Sequence, residues 1–296
     1  MNPLRLITSA ILATLAACSA VPPSAPLAPL TPLAKENILA VTESNQLIGF
    51  NAARPETLRF KQPLAGLRPG EAVLGIDFRV ARGELFALGS SGQLYRIDRA
   101  TAEAKPVGPP HAVSLVGNEF GMDFNPAVDR VRVVSDSGQN LRLHPDTGAM
   151  VDADPMLDGL QIDSPLAYAA GDTNAGRAAA VVAAGYTYNK QDEKLTTNFA
   201  IDARQCLLAT MGTREGVQSA ESPNTGRLHT VGSLGLPAFD RAAFDIGDLA
   251  NAAYAALTAA GAAQSSWVGI DLATGRATLI GTIGGGEPIR AIAIEP

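Results

Sequence analysis

From residue 38 onward, apolar and polar positions alternate in short runs, and almost no stretch sustains a helical period. Runs such as "VLGIDFRVA", "ELFALG" and "QLYRID" are separated by Gly, Asn and Asp-rich breaks, the pattern of short strands joined by tight turns. Residues 249–263, "LANAAYAALTAAGAA", are the exception. Alanine favours helix there by propensity, whereas the position of the segment in the chain's internal repeat argues for a strand followed by a loop.

That repeat appears when neighbouring segments are superimposed. "GIDFRVARGELFALGSSGQLYRIDRATAEAKPVG" (75–108) and "GMDFNPAVDRVRVVSDSGQNLRLHPDTGAMVDA" (121–153) match nearly turn for turn at an offset of 46 residues, and a third copy spans 243–283. Each copy reads as four strands, the first carrying an Asp. A period of forty to fifty residues is the spacing of propeller blades. A fourth, degenerate unit starts at "AAAVVAAGYTYN" (178–189) and continues through "KLTTNFAID", "QCLLATMG" and "GRLHTVG", with 154–177 and 213–225 as insertions. The fifth is split across the termini: "PIRAIAIEP" matches the first strand of the other units, and residues 37–64 supply the rest. The pattern therefore predicts an all-β protein, a β-propeller of five four-stranded blades closed by pairing of the C-terminal strand with the N-terminal blade. Closure of that kind removes the free edge of the sheet. Six blades, with strands drawn from 154–177, is the second reading, and an open solenoid the third.

The strings "GIDFRVARGELFALGSSGQLYRID", "FGMDFNPAVDRVRVVSDSGQNLRLHPDTGA", "GRLHTVGSLG" and "GIDLATGRATLIG" resemble the bacterial extracytoplasmic family known as domain of unknown function 4394. The resemblance covers most of residues 38–296. It implies a propeller-like secreted or envelope protein and carries no established activity with it; the blade count rests on the spacing.

Residues 1–17 change the picture of where the chain works. "MNPLRLITSAILATLAACSA" has Arg5, an apolar run from Leu6 to Leu15 and then small residues, the layout of a secretory signal too short to serve as a membrane span. The run ends in Leu15-Ala16-Ala17-Cys18, which looks like a lipobox. We expect cleavage before Cys18, lipidation of that residue, and attachment to a membrane through it. Ser19 is compatible with sorting to the outer membrane facing the periplasm; if the lipobox is not used, the protein is secreted. Pro-rich residues 21–33 read as an extended tether, so the expected organisation is a signal peptide (1–17), a lipidated tether (18–36) and a propeller domain (37–296).

The 296 residues are 46% hydrophobic and 18% charged, with a net charge of −6 that becomes −7 once Arg5 is removed. With no Lys/Arg run, the chain has no electrostatic footprint for a nucleic-acid partner. After lipidation of Cys18, Cys206 has no thiol partner and reads as a small buried hydrophobe.

The candidate chemistry is acidic and basic in separate places. Asp77, Asp123 and Asp245 share one position in three innermost strands, with Tyr186 and Ala293 aligned in the other two. Three such carboxylates near one mouth of the channel could hold a divalent cation such as calcium, act as acid and base, or accept amides within the blades. Arg130, Arg132 and Arg142 lie on polar strand faces and could grip an anion. Alternatively they form an interblade ladder with Asp123, Asp129 and Asp136. The acidic run "DADPMLDGLQID" (152–163) departs from an EF-hand, because Gly159 falls at its eighth place and no Glu ends it. His111, His144 and His229 are dispersed, no G-x-S-x-G elbow occurs, and a Ser135/Asp136/His144 triad exists only on paper. Two functions follow: a non-catalytic module binding a small molecule, glycan or protein, or a hydrolase of a glycan or lactone using the aligned Asp residues. With Trp267 the sole tryptophan, platforms for stacking sugars are few.

Overall fold

The structure, a computed structural model, describes residues 34–110 and 113–296. The signal and the lipidation site Cys18 lie outside the described residues, as do all but the last three positions of the tether, and His111. Among the described residues no helix is long and apolar enough to cross a membrane.

Among the described residues, twenty strands form five small sheets. Blade one holds β1 (Asn37–Thr42), β2 (Gln46–Asn51) and β3 (Arg54–Pro63). Blade two is β4 (Val73–Arg79), β5 (Glu84–Gly89), β6 (Leu94–Asp98) and β7 (Glu103–Val107). Blade three is β8 (Phe120–Asn125), β9 (Arg130–Ser135) and β10 (Asn140–Leu143). Next comes β11 (Ala167–Tyr168), then blade four with β12 (Val181–Tyr186), β13 (Asn198–Asp202), β14 (Leu207–Met211) and β15 (Arg227–Ser233). Blade five is β16 (Arg241–Ile246), β17 (Ala253–Thr258), β18 (Ser266–Ile270) and β19 (Ala277–Thr282), and β20 (Ile289–Ile294) returns to pair antiparallel with β1. The innermost strands β20, β4, β8, β12 and β16 contact one another in that order and close a ring. The chain is a five-bladed β-propeller.

Three details differ from the sequence pattern. Blade three has three strands, and its fourth is reduced to a single bridge between Leu143 and Met150 before the chain leaves the sheet. The segment 154–177 builds no sixth blade; its one two-residue strand, β11, runs parallel to β15 on the outer edge of blade four. The alanine-rich segment forms strand β17, because both of its neighbours in the meander supply ladder partners and its six residues are all buried.

Blades pack face to face, so most strands are covered on both sides and read as continuous apolar runs. Five apolar clusters result, each spanning two neighbouring blades. Trp267 anchors the cluster where the ring closes: it stacks on Tyr254 at 5.2 Å, meets the edge of Phe50 at 5.1 Å, and donates its Nε1–H to the Ala52 carbonyl at 2.9 Å. Burial of such a side chain contributes roughly 2–3 kcal/mol, and Trp267, fully buried, offers no platform to a sugar. The cluster between blades three and four draws only Val134 from blade three. Polar side chains fill the remainder of that seam.

Candidate functional site

An innermost strand has a ladder partner on its outer side only, so its remaining N–H groups need acceptors from the next blade. The aligned Asp residues supply them. Asp77 accepts the N–H of Phe78 at 2.7 Å and, across the blade boundary, that of Phe124 at 2.6 Å. Asp123 accepts the N–H of Tyr186 at 3.1 Å. Asp245 accepts from Ile246 at 2.5 Å and from Ile294 at 2.6 Å. In each case the interblade donor lies one residue past the counterpart of the Asp in the next strand. The counterpart in β12 is therefore Gly185 rather than Tyr186, which corrects the sequence alignment by one position; Ala293 stands as aligned. Gly185 brings no carboxylate to this position, and a Cβ there would lie 3.0 Å from the Phe244 ring of blade five, while Tyr186 reaches Arg132 of blade three through its hydroxyl.

The three carboxylates do converge. One oxygen from each lies within 4.8 Å of the others, the only such group of three His, Cys, Asp or Glu residues among the described residues. They are not at a mouth, however: Asp77, Asp123 and Asp245 are 5%, 3% and 5% exposed. Below them the axis narrows to a space of about 10 Å³ lined by Gly75, Gly121, Ala183, Ala243 and Ala291, among others. Gly121 is required there, since a Cβ would fall 2.6 Å from the Ala183 Cα. Towards the other end lies a cavity of about 250 Å³ lined by Arg79, Asn125, Asp129, Tyr188 and Glu193 among others. None of the three Asp lines either space.

No Lys or Arg among the described residues pairs with the three Asp. Arg79, two residues beyond Asp77, is committed to Asp129 and to Asp146. Burial, and then the charge of Asp245, pushes the Asp77 carboxyl well up; burial, with Asp77 and Asp245 beside it, does the same to Asp123. Burial raises Asp245 to about 6 against the amides of Ile294 and Ile246, which favour its charged form. Burial, and then the charges of Asp77, Asp123 and Asp245, push the Tyr188 hydroxyl up. At an effective dielectric of about 20, two charges this close repel by roughly 3 kcal/mol. This repulsion opposes full ionisation of all three carboxyls at once, and bound protons or a cation would relieve it.

The arginines lie elsewhere, at the seam of blades three and four. Arg132, 2% exposed, donates to Tyr186 Oη (3.1 Å), Asn140 Oδ1 (2.8 Å), Asp163 Oδ2 (2.6 Å) and Asn224 Oδ1 (2.6 Å). Arg142 forks onto Asp163 through Nε and Nη2, both at 2.7 Å. Arg130 donates only to the carbonyls of Val128 and Asp129. The ladder with Asp123, Asp129 and Asp136 is thus not formed. The acid that serves Arg132 and Arg142 is Asp163, which enters from the insertion and cannot be matched to them by strand spacing.

Other sequence candidates come apart. Ser135 Oγ donates to the Val116 carbonyl, Asp136 accepts the Asn118 N–H, and His144 Nδ1 accepts the Asp146 N–H, so no triad forms. In the acidic run, Asp152 and Asp154 accept amides of their own loop, and Asp163 is taken by the arginines. Sequence reasoning missed Tyr188, Arg79, Asp163 and Asn224, none of which recurs from blade to blade.

The closed ring of five meanders and its axial carboxylates define a β-propeller domain. Its shape is similar to that of a chain in a nidogen/laminin complex, at 12% identity and a TM-score of 0.46 over 88% of this chain and 98% of that one. It is also similar to a structural-genomics protein of unknown function from Bacteroides thetaiotaomicron, at 11% identity and a TM-score of 0.44 over 84% and 58%. No curated protein matches the sequence. The family profile described as domain of unknown function DUF4394 matches residues 46–293, and the chain belongs to that family.

Proposed function

We propose that this is a non-catalytic, lipid-anchored binding propeller of the cell envelope, and that Asp77, Asp123 and Asp245 hold a divalent cation on its axis. One observation carries this reading: three buried carboxylates have ligand oxygens within 4.8 Å of one another, and no basic side chain among the described residues pairs with them. Hard oxygen donors at that spacing suit calcium, whose bonds to oxygen run about 2.3–2.6 Å, with water completing the shell. Among the described residues the Asp123 Oδ2 atom accepts no hydrogen bond, which makes it the best-placed first ligand.

The hydrolase reading is weaker. A general acid or base must reach the proton it moves, yet the three Asp are almost fully buried and line neither of the two axial spaces, which disfavours contact with a substrate as large as a glycan.

Thermal denaturation of purified protein, after EDTA treatment and with added calcium, tests the cation. A saturable rise in Tm that disappears in Asp123→Asn supports it; identical curves with calcium and with EDTA refute it. The anchor at Cys18 and an outer-membrane location facing the periplasm rest on the sequence of residues 1–19. Under this proposal, Cys18→Ala moves the protein from the detergent phase to the soluble phase.

A further inference from the structure

The seam between blades three and four contains a cavity of about 290 Å³ into which Arg130, Arg132 and Arg142 all face, together with Tyr186, Ser222 and Asn224. Asp163 is the only acid among the described residues within ion-pair distance of these guanidinium groups, and its side chain is buried. Asp129, the neighbour of Arg130 in sequence, is spent on Arg79. Three positive groups and one negative group leave the cavity an excess of two positive charges, with no fixed carboxylate to offset them.

The walls are built rather than incidental. Arg132 is locked by four partners, and Asn140 ties the far wall down by donating to the carbonyls of Ser164 at 3.1 Å and Pro223 at 3.2 Å. Asn224 sits in a short turn, Pro223–Thr225, capped by Ser222. The Arg142 fork uses Nε and Nη2, so among the described residues its Nη1 donors have no acceptor, and Arg130 has no side-chain acceptor. Charged donors held in place and left without acceptors are the arrangement that recognises an oxyanion, because each charge-assisted bond is strong and little ordering remains to be done on binding.

We infer that this cavity is a binding site for a small oxydianion, a phosphate or dicarboxylate group, gripped by Arg130 and Arg142 against a frame fixed by Arg132. The site is separate from the axial carboxylates: none of the three Asp lines its cavity, and neither cavity along the axis is lined by Arg130, Arg132 or Arg142.

The test is calorimetric titration of the full-length purified protein, in EDTA and at low ionic strength, with inorganic phosphate and with succinate; sodium chloride of matched ionic strength is the control. The expected result is saturable binding of at least one dianion, weakened about tenfold by Arg130→Gln and by Arg142→Lys, in line with the loss of one charge-assisted hydrogen bond. Arg130→Gln breaks no ion pair in the fold, and an unchanged Tm shows that the loss of binding is not a loss of structure. The inference is overturned if neither dianion binds, if chloride reproduces the heat, or if Arg130→Gln and Arg142→Lys both bind at parental strength.

Discussion

Asp123 and Arg132 stand directly opposite each other in the β8–β9 ladder and do not form an ion pair. Tyr186 of blade four comes between their roles: its N–H is donated to Asp123, and its hydroxyl accepts from Arg132 Nε. One residue thus sends the carboxylate to the axis and the guanidinium to the seam. Negative charge accumulates at the first place and positive charge at the second, although the two residues begin as neighbours on one face of one blade.

Tyr186→Phe tests this division. It removes the hydroxyl from a buried guanidinium and keeps the backbone donor, so the expected cost is about 1.5–3 kcal/mol of stability. Urea denaturation measures it. Calcium affinity should be unchanged, since the N–H to Asp123 survives.

The pH dependence of the metal-free protein has a definite sign. Asp77, Asp123 and Asp245 all have carboxyls raised above the unfolded value of 3.8, with Asp245 at about 6. Folded protein therefore binds more protons than unfolded protein above about pH 4, and stability falls as pH rises through 6 and beyond. Glu119, pushed up to about 7 by burial, acts in the same direction. The contribution of the axis is accordingly the difference between the parent and Asp123→Asn, measured as Tm from pH 4.5 to 8 in EDTA. The parent should fall more steeply; parallel curves would remove the axial charges from the explanation.

Much of this was legible in the sequence, and the omissions have physical causes. The blades show because each meander repeats its strand and turn pattern, and the Asp positions show because a charge in an apolar strand stands out. The phase of β12 did not show. All six of its residues are buried, so no alternation of exposure distinguishes Gly185 from Tyr186, and a glycine on the axis gives no side-chain signal. Asp163 was hidden for a different reason: it meets Arg132 from an insertion 31 residues away, outside the repeat. The shortened fourth strand of blade three belongs to the same departure, since the chain leaves the sheet after Met150 to deliver that acid.

Close packing of the inner strands predicts an asymmetric response to added methyl groups. Gly121→Ala puts a Cβ 2.6 Å from the Ala183 Cα and should cost about 1–3 kcal/mol by overpacking. Gly171→Ala, with nothing within 4 Å, should leave the urea midpoint within error of the parent.

Ring closure is equally testable. Removing residues 289–296 deletes β20, exposes the edge of β1, and strips apolar partners from blades two and five. The truncated chain should lose its cooperative thermal transition and aggregate. A monomeric product with a sharp transition would contradict the closed ring as the source of stability.

The central claim is that the axis carries unbalanced carboxylates that accept a divalent cation. Its most direct test is calcium titration of the EDTA-treated protein at pH 6, in two buffers of different ionisation enthalpy. Saturable binding should be accompanied by proton release, because raised carboxyls must give up protons to become ligands, and both should be lost in Asp123→Asn. Absence of calcium binding, or binding unaltered in that variant, would contradict the claim and leave the three Asp residues as interblade clasps that share protons.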